Sequence, residues 1–313
     1  MDESTFREKL LIDPPQSTAV EITPRTNRCH RGRLEKLLRE GQDVRWEHDI
    51  KPIETSRQPQ NITIHFQNEM PIETTVLIGA DGVHSQIRKT LAPRIQLNIL
   101  PYVVFHGKRT LSFDQCQQMI APQMQKQGHS IIETHHKDVM LQIAVNGYTA
   151  ESVDIGYTYS RPAHHNQSDP LHRPYRAVSG ATDIPEEFSI ELEGLKGRGL
   201  EKPYDEIFDA SKVKQDRVLH WLMRTTLGSL EDTQELTGQG ILLIGDAVHA
   251  MPILGGEGGN TAMKDGVDLA EHITANGTNG IKTFSSTRCA GWEKAVEESK
   301  QRISDMHSAK ASM

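Results

Sequence analysis

The sequence is short of cysteine, aromatic residues, basic charge and long apolar runs, and each shortage excludes something. Its three cysteines, Cys29, Cys116 and Cys289, stand far apart. They fit neither a disulfide framework nor paired zinc-ligand spacing, and read as reduced thiols of a cytosolic protein. Lysine and arginine number 35 against 42 acidic residues, a formal net charge of −7. Nucleic acid and anionic membrane surfaces both demand basic patches, so neither is expected as a partner. The densest basic stretch, residues 25–39, is offset by Glu35 and Glu40 and reads as a helix face. No apolar run approaches the roughly 20 residues that cross a bilayer. The opening MDESTFREKL lacks the apolar centre of a secretory leader. What is left is a soluble, cytoplasmic, globular chain, and 313 residues suffice to bury a sizeable core.

Pro14, Pro15 and Pro24 predict an extended or loosely ordered start. Leu34, Leu37 and Leu38 recur at helical spacing and predict an amphipathic helix over 31–40, ended by Gly41. Three strands follow: Val44, Trp46 and Ile50 on one face, then Ile62, Ile64 and Phe66, then a run over 72–78. The last closes on Val76-Leu77-Ile78, the pattern of a strand buried on both faces. Between 92 and 236 the texture changes. Strand-like runs cover 102–106, 130–135, 139–145, 153–159 and 217–223, with helices expected over 112–125 and 185–195 and a long loop over 161–176. A second wholly apolar strand, 240–244, leads through a glycine-rich turn into a helix. On it Ala262, Gly266, Leu269, Ala270 and Ile273 share a face, and a last helix spans 282–303. The pattern predicts one α/β domain, 1–92 with 236–313, interrupted by a mainly antiparallel sheet domain, 93–235.

Two segments share one design. VLIGADGVHS (76–85) and ILLIGDAVH (241–249) are each an apolar strand running into glycine and then aspartate. Ligands of α/β sheets collect at the carboxyl ends of parallel strands, where an aspartate accepts hydrogen bonds from sugar or polyol hydroxyls. Either segment alone is also what a strand, a turn and a capped helix would give. The second continues MPILGGEGGN (251–260). Its glycines let backbone amides approach a ligand, and the helix behind aims its positive end at it, as suits a phosphate or a reduced ring system carrying negative charge. The bland alternative is a flexible turn before a helix.

At these residues the chain resembles the FAD-dependent aromatic-hydroxylase-type monooxygenases (group A flavoproteins), with the texture of fungal secondary-metabolism members. GADGVHSQIR (79–88) is similar to their DG motif and GDAVHAMPILGGEGGN (245–260) to their GD motif. The resemblance implies that Asp246 binds the ribityl chain of FAD and that the loop carrying Gly256, Gly258, Gly259 and Asn260 lies along the isoalloxazine ring. It implies that Arg31, opening an R-x-x-L-x-x-x-L helix with Leu34 and Leu38, contacts the cofactor. Asp81 falls in a motif serving both FAD and the nicotinamide donor. The implied activity is oxygenation of a small organic substrate with NADH or NADPH and dioxygen. The implied fold is an α/β FAD-binding domain of the glutathione-reductase/hydroxylase type, interrupted by a mainly antiparallel β-sheet substrate domain. No catalytic side chain is singled out.

Two positions depart from the family. Ile253 replaces a proline of the GD loop, and nothing before Arg31 supplies the strand, G-x-G-x-x-G turn and helix that grip a pyrophosphate. The FAD-binding domain is therefore expected to be incomplete. Losing two charge-assisted hydrogen bonds at about 1.5–3 kcal/mol each would weaken FAD binding by roughly 10²–10⁴-fold. A homodimer or partner is then expected to cover the exposed sheet edge. The competing reading is a truncated or degenerate, flavin-free paralogue that binds a small molecule or partner. His135-His136 and His164-His165 do not suggest a metal site, because neighbours on a strand face opposite ways. His249 is expected to pack beside the GD loop, and Tyr157, Tyr159, Arg161, Tyr175 and Trp221 are better read as ordinary packing than as substrate contacts.

Overall fold

The computed structural model describes residues 31–57, 60–127, 131–164 and 169–308. The extended start and His165 lie outside them. Leu34, Leu37 and Leu38 do fall on a helix, α1 (Arg31–Arg39), but none of its residues is buried. The strand expected from Val44 begins only at Ile50; residues 44–49 are irregular and Trp46 is exposed. β1 (Ile50–Arg57), β2 (Gln60–Phe66) and β3 (Ile72–Thr74) form an antiparallel sheet in that order, turning Ile53, Ile62 and Ile64 to a common core. The single run expected over 72–78 is broken. Thr74 Oγ1 donates to the Val76 carbonyl (2.9 Å) and accepts the Val76 N–H (3.2 Å). That local turn ends β3 and starts β4 (Leu77–Gly79) in a different sheet.

α2 (Gln86–Leu91) and the long β5 (Asn98–Ser112) follow. The one helix expected over 112–125 is two, α3 (Phe113–Met119) and α4 (Ala121–Gln127). Pro122 has no N–H to give and sits in a new first turn. β6 (Ile131–His136), β7 (Val139–Tyr148) and β8 (Ser152–Pro162) come next, then α5 (Glu186–Lys196), α6 (Tyr204–Ile207), α7 (Ala210–Val213) and β9 (Arg217–Thr225). The chain closes with α8 (Leu230–Thr237), β10 (Ile241–Leu243), α9 (Asp246–His249), α10 (Gly258–Asn276) and α11 (Ile281–Met306).

The fold divides into two compact units. One takes Pro101–Leu222 with 31–43 and 307–308; the other is discontinuous, Val44–Leu100 with Met223–Met306. In the first, a five-stranded sheet runs in the order β6-β7-β8-β5-β9. Its core side buries Phe105, stacked on Phe188 of α5 at 4.0 Å, with Tyr157 and Tyr159 beside them. The tyrosine hydroxyls are satisfied inside: Tyr157 donates to Asp216 (2.6 Å) and Tyr159 to Glu191. Arg161 extends β8 into the residues expected to be loop. Its buried guanidinium meets Asp169 (2.6 Å) and Glu191 (2.7 Å), fastening the described part of that loop to α5. Burial would raise the Asp169 carboxyl, but Arg161 and two backbone N–H groups hold it well below the carboxylate range. These residues are architecture, and Tyr175 is almost fully exposed.

In the discontinuous unit β4 and β10 pair in parallel. β10 is buried throughout, enclosed by α8 and α11, as its apolar run predicts. β4 departs from that expectation: Ile78 is 39% exposed.

Candidate functional site

The parallel register sets Leu77 beside Ile241 and Gly79 beside Leu243, and the Ile244 N–H donates to the Gly79 carbonyl (3.0 Å). The two glycine-aspartate segments therefore leave their strands at one edge, as their shared design predicts. A Cβ on Gly79 would lie 2.6 Å from Leu243 Cδ2, so the strands approach closely only with glycine there. Gly245 has φ +58° and ψ −146°, a conformation that L side chains rarely adopt, and a Cβ there would sit 3.0 Å from the Ala262 Cβ. The backbone turns sharply at this residue and delivers Asp246 to the start of α9.

Above that edge lies a cavity of about 220 Å³ lined by Ala80, Gly82, Gly245, Asp246, Gly258 and Gly259, with Ile244 and Ala262. Its wall is almost all backbone and small side chains. Asp246 supplies its carboxylate. The first turn of the 19-residue α10 supplies N–H groups that have no partner within the helix and the positive end of its dipole. A Cβ on Gly258 would meet Asp246 Oδ1 at 3.6 Å, and one on Gly259 would meet nothing within 4 Å. The site can thus accept hydrogen bonds from hydroxyls at Asp246 while offering donors to an electron-rich flat edge at the helix start.

The other expected residues are placed variously. The Asp81 carboxylate accepts the N–H groups of Gln86 (2.7 Å) and Ile87 (3.3 Å), so it caps α2 from beside the cavity. Gly256 takes φ +78° in the turn before α10 and does not line the cavity. The Asn260 side chain donates to Glu257 (3.3 Å). Arg31 opens the exposed α1 in the other compact unit.

Several residues around the site were not singled out from the sequence. Arg88, 2% exposed, donates to Val83 O (2.7 Å), Ala247 O (2.8 Å) and more distantly to Asp246 O (3.4 Å), joining the two motifs. Burial lowers its pKa, partly offset by Asp81. Asp265 is fully buried on α10. One oxygen accepts the Gly245 N–H (3.0 Å) and His249 Nε2–H (2.5 Å), the other accepts Arg288 (2.9 Å) and Trp292 Nε1–H (2.9 Å). Burial alone would raise this carboxyl, but the hydrogen bonds from His249, Trp292 and the Gly245 N–H bring it to about 2. The signal was an acid among apolar residues at helical spacing. The face of α10 that packs is Asp265 with Leu269, whereas Gly266 and Ala270 are exposed. His249 is buried against Trp292, ring centroids 5.1 Å apart. Arg302 of α11 donates to Gly255 O (2.7 Å) behind the glycine loop. Arg224 of β9 is half-buried and pairs with no carboxylate among the described residues. Burial lowers its pKa. His84 is lowered by burial and by the nearby charges of Arg224, Lys89 and Arg88.

Comparison with known proteins decides the family. A profile for an FAD binding domain matches residues 208–299. FAD-dependent monooxygenase nscC of Aspergillus fumigatus is 32% identical over 307 residues, 96% of this chain and 73% of that protein. The chain belongs to the FAD-dependent monooxygenases. Monooxygenase adaC of Aspergillus niger is 33% identical over 271 residues, 85% of this chain, which spans 64% of adaC's length. Among solved structures, 2,6-dihydroxypyridine-3-hydroxylase from Arthrobacter nicotinovorans superposes with a TM-score of 0.62 at 18% identity, covering 83% of this chain and 64% of that one. Klebsiella pneumoniae HpxO, complexed with FAD and uric acid, gives 0.61 at 16% identity, covering 89% and 64%. At those identities the two structures establish a shared fold.

Proposed function

We propose that this monooxygenase uses NADH or NADPH and dioxygen to hydroxylate or epoxidise a small organic substrate of secondary metabolism. The observation that carries the reading is the cavity where Asp246, Gly258 and Gly259 meet at the shared strand edge. Its donor set fits FAD: a carboxylate for ribityl hydroxyls, and glycine backbone at a helix start for the electron-rich ring edge. Bound FAD supplies the electron transfer and the activation of dioxygen that no side chain provides. The chain's own part is to hold and orient. Asp246 accepts hydrogen bonds from hydroxyls, α10 directs its N–H groups into the cavity, and Gly256 and Asn260 shape the approach. Asp81 keeps α2 and its motif in place. Arg31 is assigned to the cofactor by the family motif. The reading makes 1–92 with 236–313 the flavin-binding-type domain and 93–235 the substrate domain.

The nicotinamide donor carries phosphates, and the discontinuous unit offers charge for them. His84 lies close enough to the half-buried Arg224, to Lys89 and to Arg88 to feel all three charges, a concentration of positive charge around the Asp81 segment. Among the described residues no helix is long and apolar enough to cross a membrane, and a cytoplasmic location belongs to the same proposal. A homodimer or partner over the open Ile78 side of β4 completes it. The test is Asp246→Ala. One or two charge-assisted hydrogen bonds, at about 1.5–3 kcal/mol each, predict a loss of flavin affinity of at least about tenfold with little change in melting. Flavin fluorescence quenching measures the first and thermal denaturation the second. Unchanged affinity overturns the assignment.

A further inference from the structure

Asp265 does not line the cavity and is hydrogen-bonded to one lining group, the backbone of Gly245, yet four donors converge on it. It stands on α10, the helix whose first turn faces the cavity. Its Oδ2 holds the Gly245 N–H at the bend that aims Asp246, and the ring of His249 at the far end of α9. Its Oδ1 is held in turn by Arg288 and Trp292 of α11. A carboxylate receiving Arg288, an indole N–H and a backbone N–H stays ionised and can only accept, so the His249 proton is fixed on Nε2. That leaves His249 Nδ1 buried without a hydrogen-bond partner among the described residues, so Asp265 is the ring's one hydrogen-bond partner there. The bend at Gly245, φ +58° and ψ −146°, lies outside the regions that L side chains adopt. Its amide is fastened by this one carboxylate.

We propose that Asp265 is a positioning residue of the flavin site: it fixes the Gly245 bend against α10, and thereby the angle at which the Asp246 carboxylate meets the Gly258-Gly259 turn. The inference rests on the flavin reading above. It assigns to Asp265 no contact with the cofactor and no proton transfer. A core acid that merely stabilises the unit and one that aims Asp246 make different predictions. The first lowers stability and affects ligand affinity only through the unfolded fraction. The second acts through Asp246, so its effect on affinity disappears when that carboxylate is gone.

The experiment is a double-mutant cycle on the full chain, with FAD affinity read by fluorescence quenching under conditions where every variant is folded by circular dichroism. Asp265→Asn keeps the volume but replaces one acceptor oxygen by a donor, which faces another donor in either orientation. It is expected to lower FAD affinity by about 10–100-fold, the worth of one or two charge-assisted hydrogen bonds made at a wrong angle. Added to Asp246→Ala it should change affinity by less than about twofold. Phe284→Leu, a loss of core volume in the same cluster that removes none of the hydrogen bonds to Asp265, provides the stability control and should leave affinity unchanged. Should Asp265→Asn not fold, Trp292→Phe removes a donor to the same carboxylate, and a smaller loss with the same non-additivity is expected. Losses that multiply in the double variant, full affinity in Asp265→Asn, or an equal loss in Phe284→Leu would each overturn the proposal while leaving the flavin reading intact. A wild-type chain that takes up no flavin would overturn the reading itself, and the proposal with it.

Discussion

Arg88 is the residue whose removal the structure prices most clearly. Its guanidinium donates to Val83 O at 2.7 Å and Ala247 O at 2.8 Å, one carbonyl from each motif, with Asp246 O at the outer limit of bonding. Arg88→Met keeps much of the apolar stem and deletes the head, so the cavity contribution stays small and the hydrogen bonds dominate. Two buried carbonyls then lose their donor at about 1–3 kcal/mol each. Against this stands relief of the desolvation that depresses the arginine's own pKa. The bonds win, because the guanidinium is already enclosed by carbonyl dipoles and has Asp81 as its nearest compensating charge. The expected net loss is about 2–4 kcal/mol. Equilibrium urea denaturation followed by tryptophan fluorescence, Trp292 being in the same core, measures it. Arg88→Lys should recover less than half, since a single ammonium cannot span carbonyls of both motifs. A loss below about 0.5 kcal/mol, the level of an indifferent surface change, would refute the reasoning.

Gly245→Ala must hold a side chain at φ +58° against Ala262, which costs about 1–3 kcal/mol. A lower melting temperature together with weakened flavin binding is expected, and a wild-type melt would show that the bend relaxes freely. Arg224→Met should raise the KM for NADH or NADPH by at least about tenfold, one charge-assisted hydrogen bond, with flavin content unchanged. Steady-state donor titration reads it, and an unaltered KM would remove Arg224 from the donor site.

The strands, the helices behind them and the shared edge for Asp81 and Asp246 were legible because apolar runs ending in glycine and aspartate allow few local structures. The apolar triplet 76–78 misled, since hydrophobicity reports what a strand tends to bury and not what stands beside it. Thr74 broke one expected strand through a hydrogen bond two residues away, which periodicity does not register. Trp46 read as a strand residue by alternation alone. The residues that organise the site, Arg88 and Asp265, were hidden for a different reason. Each is a charged side chain whose partners lie mostly on other elements, so no local spacing marks it. Asp265 differed from its helix neighbours only in being an acid among small and apolar residues.

The discontinuous unit has a consequence in time. β4 emerges during synthesis well before β10, its only strand partner in the described sheet. At about 5–20 residues per second, Ile241 follows Gly79 by roughly ten to thirty seconds. Through that interval the first glycine-aspartate segment has no mate, and Arg88 has no Ala247 carbonyl to grip. The five-stranded sheet encoded between them, β5 to β9, lies within one continuous stretch, 98–225, and can assemble while the chain is still being made. A ribosome that stops short of β10 would therefore release a chain with a complete inner sheet and a bare β4, a target for chaperones or aggregation.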